Sequence, residues 1–280
     1  MSDPPLFNDR VGSAWALLQD RTDAYLDPLG RAAMARLLLS PGERVVDVGC
    51  GCGQTLVELV ELVGVDGRVL GVDINQPMLA RARARSAVHP NIEVALGDAQ
   101  THAFPRAAYD AVYSRFGVMF FGDPRAAFAN LREALRPGGR LAFVCWQELA
   151  RNPWAELPLR ALLTHMPESP VVATVRTGAA GPFGLADRAH TEGVLAAAGF
   201  TAVAVEPFTT SVHLGAAMTL DEAVDYCRQM GPASRCLADA PAGRRPGLEA
   251  ALRAALAPHV TSRGLWLDAA AWLVTARSPD

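Results

Sequence analysis

The chain has 280 residues, half of them apolar, a formal net charge of −3 and a sequence pI of about 6.1. It is long enough to bury a substantial core as one large domain or a domain with inserted segments, and its charge balance lacks the basic footprint of a general nucleic-acid binder. All 26 basic residues are arginine, which excludes lysine Schiff-base chemistry, and five scattered cysteines, no apolar leader and no long apolar run lead to the expectation of a reduced, cytoplasmic protein without a membrane span or a bound metal.

Residues 6–40 carry Trp15, Leu17, Leu18, Tyr25 and Leu29, then Ala32, Ala33 and Leu37 to Leu39, and read as two helices interrupted at Asp27-Pro28. The stretch VVDVGCGCG, residues 45–53, follows. Val45, Val46 and Val48 form the β-branched run of a strand buried on both faces, and glycines at alternate positions, Gly49, Gly51 and Gly53, end it. QTLVELVELVG (54–64) then places Leu56, Leu59, Val60 and Val63 at helical spacing. Strand, glycine loop and helix in this order make a nucleotide-type site, because glycines accept positive φ and let a ligand approach with no Cβ in the way. The dinucleotide fingerprint requires G-x-G-x-x-G, whereas the spacing here is G-x-G-x-G with an acid, Asp47, two residues ahead. A carboxylate there repels a pyrophosphate and suits an ammonium group, which points to S-adenosylmethionine rather than a nicotinamide cofactor. The segment 68–85 reads as a second strand ending in Asp73, then a helix. That acid lies twenty positions after Gly53, where a carboxylate can accept both ribose hydroxyls.

A third strand is predicted at about 92–96, ending in Gly97-Asp98-Ala99, and a fourth at Tyr109 to Tyr113, followed by Ser114, Arg115, Phe116, Gly117 and Val118. In open α/β sheets the ligand crevice lies outside the carboxyl ends of the strands, so this last segment is expected to face the cofactor and acceptor. A helix from Pro124 to Leu135 stops at the turn Pro137-Gly138-Gly139, and strand five, Leu141 to Trp146, leaves Trp146 at the same edge. From 147 to 186 the periodicity fades and prolines accumulate, which reads as an insertion with a helix near 155–166. A helix at 189–198, a strand at about 201–209, a second insertion with helices at 220–229 and 246–256, and a closing strand at 266–278 complete the chain. Cys50 and Cys52, at i, i+2 inside the glycine loop, are read as small apolar fillers.

The segments VVDVGCGCG, GVDINQPML, ALGDAQ, YDAVYSRFGVMFF and LRPGGRLAFV resemble the successive motifs of class I S-adenosylmethionine-dependent methyltransferases, most closely the bacterial group loosely related to the ubiquinone/menaquinone and sterol methyltransferases. The resemblance covers residues 10–150 and implies an α/β, doubly wound, seven-stranded sheet whose last strand is antiparallel. N-terminal helices (1–40) form a lid, and cap insertions stand at about 147–186 and 212–265. It implies a cofactor set of Asp47, Gly49, Cys50, Gly51, Gly53, Asp73, Ile74, Met78, Gly97, Asp98, Ala99, Ser114, Arg115 and Phe116, with Asp98 accepting from the adenine amino group. It also makes Trp15 and Tyr25 candidate lid residues, ordinary helix packing being the alternative.

Methyl transfer from a sulfonium needs chiefly positioning, and a base only where the nucleophile holds its proton. His165, His190 and His213 are the candidate bases, and Phe116, Phe120, Trp146 and Trp154, with Trp15 and Tyr25, the candidate acceptor wall. The loop after strand four is SRFG, without the Asn/Asp-Pro-Pro-Tyr/Phe motif of enzymes that methylate planar amino groups, and no paired-glutamate loop stands there. The expected function is methyl transfer to O, N or C of a small, planar or apolar metabolite, with S-adenosyl-L-homocysteine as product and a homodimer as one possible assembly. A non-catalytic or regulatory protein on the same fold and a nicotinamide-dependent oxidoreductase remain the alternatives.

Overall fold

Apolar, β-branched strands flanked by amphipathic helices assemble here into one sheet with helices on both faces. The computed structural model describes residues 9–175, 178–214, 217 and 219–280. Among the described residues there are eight strands: β1 (Arg44–Val48), β2 (Arg68–Asp73), β3 (Ile92–Leu96), β4 (Tyr109–Arg115), β5 (Leu135–Trp146), β6 (Thr201–His213), β7 (Val260–Thr261) and β8 (Gly264–Arg277). Seven of them lie in the order β3-β2-β1-β4-β5-β8-β6, and the two-residue β7 pairs only with β8. β1 to β5 are parallel, while β8 runs antiparallel to both β5 and β6. The doubly wound sheet with an antiparallel last strand is thus present, with β7 added to the expected seven.

The helices are α1 (Asp9–Leu17), α2 (Gln19–Ala35), α3 (Gln54–Val63), α4 (Gln76–Ser86), α5 (Pro124–Ala134), α6 (Pro153–Leu163), α7 (Val171–Thr174), α8 (Arg188–Ala197), α9 (Leu220–Gln229), α10 (Gly231–Asp239) and α11 (Arg245–Leu256). The break expected at Asp27-Pro28 falls at Leu18 instead, and Pro28 sits inside α2. A proline inside a helix removes one backbone hydrogen bond, but burial of Tyr25, Leu26, Leu29, Ala33 and Met34 along the same helix outweighs that loss. β5 also starts earlier than expected. The Pro137-Gly138-Gly139 turn is a bulge within it, Gly138 at φ +69°, with the register jumping between Tyr109↔Leu135 and Ala111↔Arg140. α10 was not expected at all, because Gly231-Pro232 reads as a breaker although Pro at the first turn suits a helix start.

The segment 1–40, expected as a lid, divides. α2 covers the sheet itself: the Tyr113 hydroxyl donates to the Gly30 carbonyl at 2.9 Å, and a Cβ on Gly30 would come within 2.6 Å of the Arg115 side chain. Only α1 reaches outward, over α4, and residues 1–8 lie outside the described residues. The two insertions converge on one cap. Leu159, Leu162, Met166 and Val171 from the first share a core with Leu214, Ala223, Tyr226, Cys236, Leu248 and Leu252 from the second. The end of the first insertion instead joins the sheet, where Trp272 Nε1 donates to the Ala186 carbonyl at 2.7 Å.

Candidate functional site

The glycine loop joins β1 to α3 in a conformation that side chains resist. Gly49, Gly51 and Gly53 have φ of +70°, +55° and +82°. A Cβ on Gly49 would lie 2.8 Å from the Gly117 Cα, so the loop after β1 and the loop after β4 pack backbone against backbone. A Cβ on Gly53 would meet the Ala82 Cα at 2.9 Å, and one on Gly51 would meet the Met78 Cε at 3.0 Å. Gly117 lies in the segment expected to face the ligands, although it was not named in the cofactor set. Its signal is its place directly after the ring of Phe116.

Asp47 is fully buried beneath this loop. Thr55 Oγ1 donates to its Oδ2 at 2.5 Å, while its Oδ1 has no hydrogen-bond partner among the described residues. Burial pushes its pKa up to about 7, against the pull of Thr55 and Arg115. An orphaned carboxylate oxygen in such a place is costly unless a donor comes to it.

Asp73 ends β2 and faces the same loop. Its Oδ2 accepts from the Gly51 N–H and its Oδ1 from the Asn75 N–H, both at 2.9 Å, and burial raises its pKa against these bonds. Ile74 beside it is 47% exposed, an apolar side chain left facing outward. Asn75 caps α4 by accepting from the Met78 N–H at 3.1 Å, and α1 rests on it at Gly12, where a Cβ would overlap the Asn75 amide. Ala16, Cys52 and Met78 make a small apolar cluster there, with Trp15 packed on its edge.

At the end of β3 the Gly97 N–H donates to the Asp73 carbonyl, and the exposed Asp98 accepts from the Gln100 N–H at 2.9 Å while Ala99 is buried. Two residues of the expected cofactor set are otherwise engaged. Ser114 Oγ donates to the Val48 carbonyl at 2.7 Å and accepts from the Gly117 N–H. Arg115 turns back towards α2 and α3, donating to Gln54 at 2.6 Å and pairing with Asp23 at 3.0 Å. Asp23 also pairs with Arg85, so α2 is tied to α4 and β4 by a half-buried charge cluster. Cys50 packs under the loop, against the space that Gly71 leaves open, and its thiol is pushed well up by burial, as befits a filler.

The aromatic candidates do meet. Phe116, a non-glycine residue at φ +60°, stacks on Trp146 with ring centroids 4.1 Å apart. Trp146 lies 4.8 Å from Trp154 and 6.3 Å from Tyr25, and Tyr25 meets Trp154 edge-on at 5.7 Å. Trp154 is held by Nε1 donating to Asn152 Oδ1, and the buried Asn152 amide donates in turn to the Gln147 and Ala270 carbonyls. Asn152, directly before Pro153 at the start of α6, was not among the sequence candidates. Trp15 packs where the sheet core, the cap core and the Cys52–Met78 cluster adjoin. Phe120 sits half-buried against the sheet core.

The buried Tyr25 hydroxyl has no hydrogen-bond partner among the described residues. Its ionisable neighbours are Tyr226 and Cys227, both pushed up by burial, the thiol to about 12. The histidine candidates lie elsewhere. His165 is exposed just past the end of α6, His190 is in the first turn of α8, and His213 stacks on Trp266 while its Nε2 bonds the Ala217 carbonyl at 3.0 Å. Among the described residues no cluster of His, Cys, Asp and Glu could hold a metal.

Comparison with known proteins decides the family. A methyltransferase-domain profile matches residues 45–139, and an aklanonic acid methyltransferase of Streptomyces sp. (strain C5) is 36% identical over 152 residues, covering 51% of this chain and 69% of the relative. The chain belongs to the class I S-adenosylmethionine-dependent methyltransferases. Among other members, the ubiquinone/menaquinone biosynthesis C-methyltransferase of Teredinibacter turnerae is 36% identical over 104 residues, 36% of this chain and 42% of that one. The phosphoethanolamine N-methyltransferase 2 of Haemonchus contortus, solved with S-adenosyl-L-methionine, shares the fold at TM-score 0.55 and 18% identity over 90% of this chain and 53% of the other. The matched stretches span between 37% and 69% of the first three curated relatives. The cofactor of this methyltransferase is S-adenosyl-L-methionine, and the nicotinamide alternative falls away. The residues present fit that cofactor: the loop is a cradle that a Cβ would fill, and the orphaned Asp47 Oδ1 suits its ammonium. No helix among the described residues is long and apolar enough to cross a membrane.

Proposed function

We propose that this methyltransferase transfers a methyl group to an O, N or C atom of a small, planar or apolar metabolite. The observation that carries the proposal is the aromatic cluster of Phe116, Trp146, Trp154 and Tyr25, built at the carboxyl edge of β4 and β5 beside the glycine loop. S-adenosylmethionine supplies an electrophilic methyl on a sulfonium. Asp47 would receive its ammonium through Oδ1, Asp73 its ribose hydroxyls, and Ile74, Asp98 and Ala99 its adenine. The aromatic rings orient the acceptor and exclude water that would compete for the methyl. α1, with Trp15, serves as the lid over this edge.

Among the described residues, the ionisable groups that act on Tyr25 are Tyr226 and Cys227, and burial holds both protonated at neutral pH. The acceptor therefore brings its own reactivity: an acidic phenol or enol, a neutral amine, or an activated carbon. The Tyr25 hydroxyl is free to hydrogen-bond it. Calorimetry with S-adenosylmethionine and NAD, followed by a methyl-transfer screen over phenols, enols and amines, tests the reading. Turnover confined to acidic hydroxyls, neutral amines or activated carbons is expected. Cofactor binding with no transfer to any acceptor would favour the non-catalytic alternative.

A further inference from the structure

The sheet carries a second groove at its opposite end, about 310 Å³ in volume and lined by Arg44, Arg68, Val69, Leu70, Ile92 and Tyr109 together with Pro90, Asn91 and Glu93. Its origin is a missing layer. The connection from β3 to β4 contains no helix, so the amino-terminal half of β2 and β3 is left without a helical cover on one face. Leu70, two residues on from Arg68 and therefore on the same face, supplies the apolar floor, and Tyr109, edge-on to Phe104, walls it.

Arg44 and Arg68 are register partners on adjacent parallel strands, so their side chains leave the same face about 4.8 Å apart. The carboxylates that could neutralise them are engaged elsewhere. Glu43 pairs with Arg140 and Arg136, and Asp110 pairs with Arg136 and accepts from the Arg44 backbone N–H. Neither guanidinium has a carboxylate partner among the described residues. Arg44 instead lies over the Tyr109 ring, 5.6 Å from its centroid. Glu93 is the acid in the groove itself, and it forms no ion pair with either arginine. The net local charge is positive over an apolar floor.

We infer that this groove binds a small planar organic anion, its ring on Leu70 and Tyr109 and its carboxylate between Arg44 and Arg68. The volume is in the range of small-molecule sites, and a guanidinium pair matches a carboxylate's geometry. The site is separate from the cofactor cradle: Arg68 and Asp73 are opposite ends of β2, about 16 Å apart at ~3.3 Å per residue. It does not depend on the acceptor reading.

The test uses the full chain, 2-naphthoate as probe and the neutral isostere 2-naphthylmethanol, by calorimetry. One site for 2-naphthoate is expected, at least tenfold weaker for the neutral isostere and at least tenfold weaker in the double variant Arg44→Gln/Arg68→Gln, with affinity for S-adenosylhomocysteine unchanged. Should the double variant fail to fold, Arg68→Gln alone gives the same readout, since its guanidinium makes no ion pair among the described residues. Absence of binding, equal binding of the two probes, or 2-naphthoate affinity untouched by the variants overturns the inference. Binding of poly-glutamate that depends on both arginines, without 2-naphthoate binding, would assign the groove to an acidic protein segment and likewise overturn it.

Discussion

Asp47→Asn is the most informative single change, because the carboxylate titrates where the experiment can reach it. With a pKa of about 7 in the free protein, Asp47 is about one-eleventh ionised at pH 6 and about nine-tenths ionised at pH 8. If its unpartnered Oδ1 receives the cofactor's ammonium, binding favours the ionised form. Affinity then rises with pH up to about 7 and levels off above it. The expected gain from pH 6 to pH 8 is about tenfold, or about 1.4 kcal/mol, read by calorimetry with S-adenosylhomocysteine. Asp47→Asn should bind more weakly and without that slope. Stability moves the other way. A pKa raised on folding gives stabilisation that is complete below the unfolded value near 4 and is lost as pH rises to about 7, a change of about 4 kcal/mol over three pH units. The Asn variant should lack this dependence and overtake the wild type at pH 8 in urea unfolding, since it keeps an acceptor for Thr55. An affinity independent of pH in the wild type, or the same slope in the variant, refutes the assignment of Asp47 to the ammonium.

Asp73→Ala should weaken cofactor affinity at least about tenfold by removing a charge-assisted acceptor. It should also lower the melting temperature, because the Gly51 and Asn75 N–H groups lose their acceptor; unchanged calorimetric affinity would show that the ribose lies elsewhere. Gly49→Ala should cost more than about 2 kcal/mol in urea unfolding, since φ is +70° and the Cβ meets the Gly117 backbone. Gly42→Ala, at φ +87° in the turn closed by the Glu43 N–H on the Ser40 carbonyl and with open space around it, is the control and should cost only about 1 kcal/mol; equal costs would show that backbone contact is not what the loop requires. Phe116→Leu and Trp154→Leu should each raise the acceptor KM or lower kcat while cofactor affinity holds; normal turnover by the folded variants would remove the aromatic cluster from the acceptor site.

The sheet was readable in the sequence because its strands announce themselves. Val45, Val46 and Val48 are buried on both faces, so no alternation hides them, and the glycines that end β1 must take positive φ for backbone reasons alone. Pro28 shows where such reading stops. A local rule against proline in a helix is overridden by burial of residues on both sides of it, and the sequence holds no sign of which surface α2 will cover until Gly30 meets Tyr113. α10 escaped for the complementary reason: its first two residues, Gly231 and Pro232, look like a turn and its packing against α6 is with residues distant in sequence.

The same distinction separates the two halves of the site. Asp47, Asp73 and the glycines stand at strand ends, where position along the chain translates directly into position at the sheet's edge. The acceptor side depends on contacts between segments far apart in sequence: Tyr25 from α2, Trp146 from β5, and Trp154 from a helix whose start is pinned by Asn152 to the β8 backbone at Ala270. Arg115 and Ser114 mark the limit from the other direction. They follow β4 just where a ligand residue should, yet one bonds the Val48 carbonyl and the other crosses to Asp23 and Gln54. Position at a strand end brings a residue to the crevice, and the partners that the rest of the fold offers decide whether its polar atoms remain available there. By that measure Asp47 Oδ1 and the Tyr25 hydroxyl, two of the buried side-chain atoms without partners among the described residues, are the ones from which the chemistry of this edge should be read: the first on the cofactor's side, the second on the acceptor's.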